Sequence, residues 1–240
     1  MGILGELLEL VLPERCAGCG AGTGLLCPGC ARRLSRPAWP AWPRPVPAGL
    51  PAPWAVTAYD GAVRAMIVAH KESGRTGLAR PLGAALARSA LAASWPAAWS
   101  SAATRTAVPD PAGDTAPLLL VPVPSARAAT RHRGHDPTRR ITAMAVSALI
   151  RSGVRARAAC VLAQARRVAD QSTLTAQERA GNLLEALTVV RPVKVRGRRV
   201  VVVDDVITTG ATLVEAARAL REAGADVAGA GVVAATRRWS

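Results

Sequence analysis

The thirteen residues from Val200 to Thr212 restrict the possible folds more than any other part of this chain. Val200–Val203 is an unbroken β-branched run with no polar alternation, so it predicts a strand buried on both faces, as in a parallel sheet. Asp204 and Asp205 close the run. A short loop follows with Thr208, Thr209, Gly210, Ala211 and Thr212. Leu213, Ala216, Ala217 and Leu220 then recur at helical spacing, and Gly224 suits the stop. Similar units lie upstream. Trp54–Tyr59 reads as a strand entering a turn at Tyr59-Asp60-Gly61, and Gly77–Ala93 reads as a helix. Leu118–Val123 has strand length, Ile141, Met144, Ala145, Ala148 and Leu149 share one helical face, and Gly229–Ala235 is a last small-residue strand. Strands alternating with helices predict an α/β fold, a parallel sheet flanked by helices.

The acidic strand end and its loop also carry chemistry. Open α/β sheets bind ligands at the carboxyl ends of their strands. The loop offers backbone N–H groups at the positive end of a helix dipole, which suits a phosphate monoester. Gly210 permits close backbone approach, and Thr208, Thr209 and Thr212 add hydroxyl donors. Asp204 and Asp205 can each accept from vicinal hydroxyls such as those of a ribose. Together these groups point to a ribose 5-phosphate. Neither G-x-x-x-x-G-K-[ST] nor G-x-G-x-x-G occurs, which argues against a P-loop NTPase or a dinucleotide fingerprint.

Four of the five cysteines, Cys16, Cys19, Cys27 and Cys30, form C-x2-C-x7-C-x2-C. Two such knuckles can aim four thiolates at one point, the donor set of a closed structural zinc site. Paired disulfides are the rival, disfavoured where thiols stay reduced, and a redox C-x-x-C lacks its usual helical setting here. Cys160 stands among Ala, Val and Leu and is expected to be a buried structural thiol. Seven prolines between Ser35 and Trp54 forbid a helix or a central strand there. The expected organisation is a cysteine module over 1–35, an extended Pro/Trp connector over 36–54, with Trp39, Trp42 and Trp54 available to pin it, and the main domain over 55–240. Ser94–Pro117 reads as a surface excursion.

Aromatic residues are only 3% of the chain, which argues against base-stacking modules such as RRM or OB folds. The formal charge is +15, and residues 121–200 hold 16 basic and 4 acidic side chains. That balance suggests phosphorylated ligands or nucleic acid. Ile3–Leu12 is interrupted by Glu6 and Glu9 and lacks a basic leader, and no apolar run spans a bilayer. A cytoplasmic location is expected.

Val202–Leu213 resembles the PRPP-binding motif of type I phosphoribosyltransferases. The chain as a whole resembles the ComF family, amidophosphoribosyltransferase-like proteins with a zinc-finger-like amino terminus. The likeness includes the four cysteines, Tyr59-Asp60-Gly61 with Lys71 and Gly74, and Pro122-Val123-Pro124 with Arg127. It continues through Arg131, Arg133-Gly134, Gln171, Leu174, Arg179 and Asn182. One departure is His135-Asp136-Pro137, where the family usually has F-N-Q after R-G. The resemblance implies PRPP or a nucleoside monophosphate as ligand, with Mg2+. It also implies a pyrophosphate-side loop of Pro124, Ser125, Ala126 and Arg127, and a cover from residues 164–182. The activity implied is phosphoribosyl transfer to an acceptor the sequence does not name. No general base stands out, and His70, His132 and His135 are candidates by residue type alone. An alternative implied by the same resemblance is a non-enzymatic competence and DNA-uptake protein. It would bind single-stranded DNA through Arg131, Arg133, Arg139 and Arg140 and work beside a helicase-like partner.

Overall fold

A computed structural model describes residues 15–95, 116–125, 136–165 and 185–236. Its centre is β7 (Arg199–Ile207), flanked on one side by β8 (Asp226–Ala235) and on the other by β3 (Leu118–Pro122). β2 (Pro53–Ala58) extends the sheet beyond β8, and β4 (Ala156–Ala158) extends it beyond β3. All four of these pairings are parallel. Within this sheet, among the described residues, β1 (Trp39–Pro40) is the antiparallel member, against β2 at the edge. The proline-rich connector thus contributes a strand, but only where an unpaired edge tolerates missing N–H donors.

Helices cover both faces. α2 (Gly61–Glu72), α3 (Ala79–Ser94) and α4 (Pro137–Arg151) share one apolar cluster with Val201 and Val203 of β7. α5 (Ala211–Glu222) shares the other with Val200 and Val202. Alternate valines of one strand therefore enter opposite cores, as a doubly covered strand requires. The cysteine module joins the first cluster. Cys16, Cys30 and Leu34 pack with it, Cys30 from α1 (Pro28–Arg33), and Arg88 of α3 donates to the Leu34 carbonyl at 2.9 Å.

Among the described residues the expected strands and helices form, with differences of extent and some added short strands. β7 runs three residues past Asp204, because Val206 and Ile207 still pair with Ala234 and Ala235 of β8. α2 begins directly at the Tyr59-Asp60-Gly61 turn, where the sequence suggested only a turn. Cys160 is exposed, between β4 and β5 (Leu162–Gln164), not buried. β5 pairs with β6 (Leu187–Val189) in a separate two-stranded sheet. Of the three connector tryptophans, Trp54 is buried in β2, whereas Trp39 and Trp42 stand exposed.

Small residues set the spacing of the layers. A Cβ on Gly231 of β8 would come within 2.8 Å of the Ala90 backbone in α3, and one on Gly229 within 2.5 Å of the Ala93 carbonyl oxygen. On the opposite side of α3, a Cβ on Gly83 would meet Met144 Cβ at 2.4 Å and the Ile141 carbonyl oxygen at 2.8 Å. The helix therefore touches the sheet and α4 almost backbone to backbone.

Gly83→Ala sets two effects against each other. Alanine gains about 1 kcal/mol of helix propensity over glycine. Overfilling a packed contact costs about 1–3 kcal/mol, and here the obstructing atoms include backbone. Net destabilisation is expected, read as a lower denaturant midpoint. An unchanged or raised midpoint would show that α3 and α4 can move apart freely.

Candidate functional site

The site forms where β7 leaves the sheet. Asp205 is buried at 6% exposure, and its carboxylate pairs with Lys71 from the last turn of α2. Asp204 accepts from the Asp205 N–H at 2.8 Å. Burial, then the Asp205 charge, pushes the Asp204 carboxyl up to about 7, and Asp136 adds to the rise. Lys71 and the Asp205 N–H pull the other way. Burial works against the Lys71 ammonium, but Asp205 and Asp204 more than compensate and raise its pKa. The cluster therefore carries one firmly charged cation and a carboxyl that titrates near neutrality.

Beyond Ile207 the chain turns through Thr208 and Thr209 into Gly210, the N-cap of α5. Gly210 is left-handed at φ 80°, ψ −4°, a conformation that costs glycine little. Its own carbonyl accepts from the Val214 N–H at 3.0 Å, and Thr209 Oγ1 accepts from the Ala211 N–H at 3.4 Å. The first N–H groups of a helix have no backbone partner within it, so beyond Ala211, which Thr209 caps, the first turn presents donors at the positive helix end.

Pro124 and Ser125 lie beside this exit, because the preceding Val123 donates to the Val203 carbonyl at 2.9 Å. Ser125 Oγ donates to Asp136 Oδ1 at 3.1 Å, and the Arg139 N–H donates to the same oxygen at 3.1 Å. Asp136 and Pro137 thus act as N-cap and first residue of α4, which explains this departure from the family pattern by local structure. Arg139 lies 3.5 Å from Asp136 and is half exposed, and Arg140 is partly buried on the same first turn. Ala126, Arg127, Arg131, His132, Arg133, His135, Gln171, Leu174, Arg179 and Asn182 lie outside the described residues. His70 is buried in α2, with Nε2 3.4 Å from the Pro137 carbonyl oxygen, which ties α2 to the start of α4.

Two contributors carried no assigned role in the sequence reading. Lys71 was visible as part of a family pattern, and its signal is rarity, since it is one of two lysines in an arginine-rich chain. Asp136 reaches the site only through the pairing of β3 with β7, a long-range contact invisible in local periodicity.

The four cysteines form a second cluster. Their sulfurs lie within 4.8 Å of one another, all as free thiols, so they are positioned to bind a metal. Gly20 donates to the Cys16 carbonyl at 2.9 Å, closing the first knuckle, and the Cys27 N–H donates to Cys16 Sγ at 3.3 Å. Burial raises the Cys16 thiol, but backbone N–H groups of Cys19, Cys27 and Gly18 bring it down to about 6. Burial and the neighbouring sulfurs push Cys30 up to about 12.

The raised Asp204 carboxyl gives a sign to pH dependence. An unfolded aspartate titrates at about 4. The folded protein holds this proton more tightly, so the contribution is full below about 4 and is lost as pH rises through about 7. Melting temperature should fall from pH 5 to pH 8 in the wild type, without added Mg2+. Asp204→Asn should flatten that decline and be the more stable form at pH 8. Parallel curves for the two proteins would show that Asp204 titrates normally.

Comparison with known proteins places this geometry. Residues 142–238 match the family model described as phosphoribosyl transferase domain. A stretch of 41 residues is 61% identical to the adenine phosphoribosyltransferase of Mycobacteroides abscessus. Over the same length it is 56% identical to the enzymes of that name from Mycolicibacterium smegmatis and Mycobacterium avium. Each alignment covers 17% of this chain and 23% of the relative, so the chain spans less than a quarter of the length of these curated relatives. Residues 142–238 thus match a phosphoribosyl transferase domain, within a mostly parallel, helix-flanked sheet that also packs against a four-cysteine cluster near the amino terminus.

Proposed function

We propose that the protein binds PRPP or a nucleoside 5′-monophosphate at the β7–α5 junction and transfers the phosphoribosyl group to an acceptor. The observation that carries this reading is the arrangement at one strand end. Asp204 and the buried Asp205 lead within five residues into a left-handed glycine turn at the amino end of a helix. On this reading Thr208–Thr212 hold the 5′-phosphate, and Asp204 and Asp205 accept from the ribose hydroxyls. Lys71 pairs with Asp205 and orients its carboxylate before ligand arrives. The C1–oxygen bond to pyrophosphate breaks with its electron pair leaving on oxygen, and the acceptor's lone pair forms the new bond at C1. Such chemistry depends chiefly on positioning and electrostatics. Mg2+ would suit this donor set of carboxylates and substrate phosphates, and when bound would supply positive charge to the departing pyrophosphate. On the same reading Pro124 and Ser125, at the neighbouring strand end, would face the pyrophosphate side.

Calorimetry with PRPP and with AMP, Mg2+ present, tests the assignment. Asp204→Asn and Asp205→Asn should each weaken binding by about 1–3 kcal/mol, the scale of a lost charged hydrogen bond. Equal affinity in wild type and both variants, or no wild-type binding at millimolar ligand, would reject it.

The cysteine cluster is assigned to structural zinc, because four thiolates fill a tetrahedral shell and leave no open position for chemistry. Protein purified without chelator should contain about one zinc per chain. Cys16→Ser should lower that content and loosen the contact of the module with α2 and α3. Elemental analysis showing zinc far below stoichiometry, or mapped disulfides in fresh protein, would remove the metal from this site.

A further inference from the structure

The connector does more than join the cysteine module to the sheet. After β1 it runs along the sheet edge, with Ala41 donating to the Pro53 carbonyl at 2.8 Å. It then turns at residues 47–50, where the Leu50 N–H donates to the Pro47 carbonyl at 3.4 Å. That turn lies against the phosphate loop. A Cβ built on Gly210 would meet Leu50 Cδ1 at 3.1 Å, Leu50 Cδ2 at 3.2 Å and Pro47 Cγ at 3.4 Å. A Cβ on Gly49 would touch Val214 Cγ1 at 3.7 Å, and Arg221 at the far end of α5 donates to the Gly49 carbonyl at 2.9 Å. The turn is therefore anchored along the helix, and its two apolar side chains close the space beside Gly210.

We propose that Pro47 and Leu50 are positioning residues of the phosphate loop, forming an outer wall that holds the left-handed Gly210 and hence the donors of residues 208–212. The role in binding rests on the phosphate assignment above, but the wall itself does not. Glycine at 210 answers two constraints, its positive φ and the side chains beside it. Removing the wall leaves the first constraint and relaxes the second, so the loop gains conformations that do not present its N–H groups together. Binding then has to order what was previously fixed.

The test combines amide hydrogen exchange at residues 208–212 with calorimetry using AMP and PRPP. Leu50→Ala should speed exchange at these amides and weaken binding, each about fivefold, as for a coupling of about 1 kcal/mol between contacting residues. Exchange in the β7–β8 core should stay unchanged, and Leu50→Met should restore both quantities. In a double-mutant cycle, Gly210→Ala should cost less affinity in the Leu50→Ala background than in the wild type. Should Leu50→Ala not fold, Arg221→Gln loosens the same turn from its other anchor and should give a smaller change of the same sign. Unchanged exchange at 208–212, or faster exchange with affinity intact, overturns the proposal. If the wild type binds neither nucleotide, the phosphate assignment fails and the positioning role in binding falls with it. Faster loop exchange in Leu50→Ala would still establish the wall as a structural contact.

Discussion

Two adjacent carboxylates at the end of an apolar strand create the constraint to which much of this structure responds. Burial and mutual repulsion both disfavour their charge. The chain meets this by bringing Lys71 from a different layer onto Asp205 and by letting the Asp205 N–H donate to Asp204. The remaining imbalance appears as a carboxyl raised to about 7. Such a cluster is costly for folding alone.

The framework around this cluster is rigid where it needs to be. β7 is paired on both sides, and its valines enter both cores, so the position of the acids follows from strand register and not from a flexible loop. The cysteine module joins the core on one face through Cys16, Cys30 and Leu34, while the connector that leaves it crosses to the other face and reaches Gly210. Glu215 and Arg218 secure the second small sheet to the same helix. Glu215 accepts from the Leu187 N–H at 2.9 Å, and Arg218 donates to the Leu187 carbonyl at 3.0 Å. α5 is thus gripped from two directions beyond the loop it begins.

What could be read from the sequence was what is encoded locally. The valine run, the acidic end, the glycine turn and the helix after it are contiguous and follow simple periodicities. The cysteine spacing was equally direct, because two knuckles need no distant partner. The extension of β7 through Ile207 was not legible, since pairing with Ala234 and Ala235 overrides the apparent end of the apolar run. α2 was concealed by the turn before it, although Val63, Met66, Ile67 and His70 fall on one helical face. β4, β5 and β6 have only three residues each, too few for alternation to register. Cys160 misled because its apolar neighbours sit on a short edge connection, where composition says little about exposure.

The near-contact of α3 with β8 bears on how chains of this kind can diverge. Most cores change by exchanging one side chain for another of different volume and filling the difference nearby. At Gly229 and Gly231 there is no side chain to exchange, and Ala90 and Ala93 opposite them can lose only a methyl. Neither partner can grow unless the whole helix lifts from the sheet. A lift of α3 would be felt by α4 across Gly83, and through α4 by Asp136 at the site. Substitution along this seam is therefore coupled to displacement of entire elements, and related chains should have diverged there in helix placement and not residue by residue.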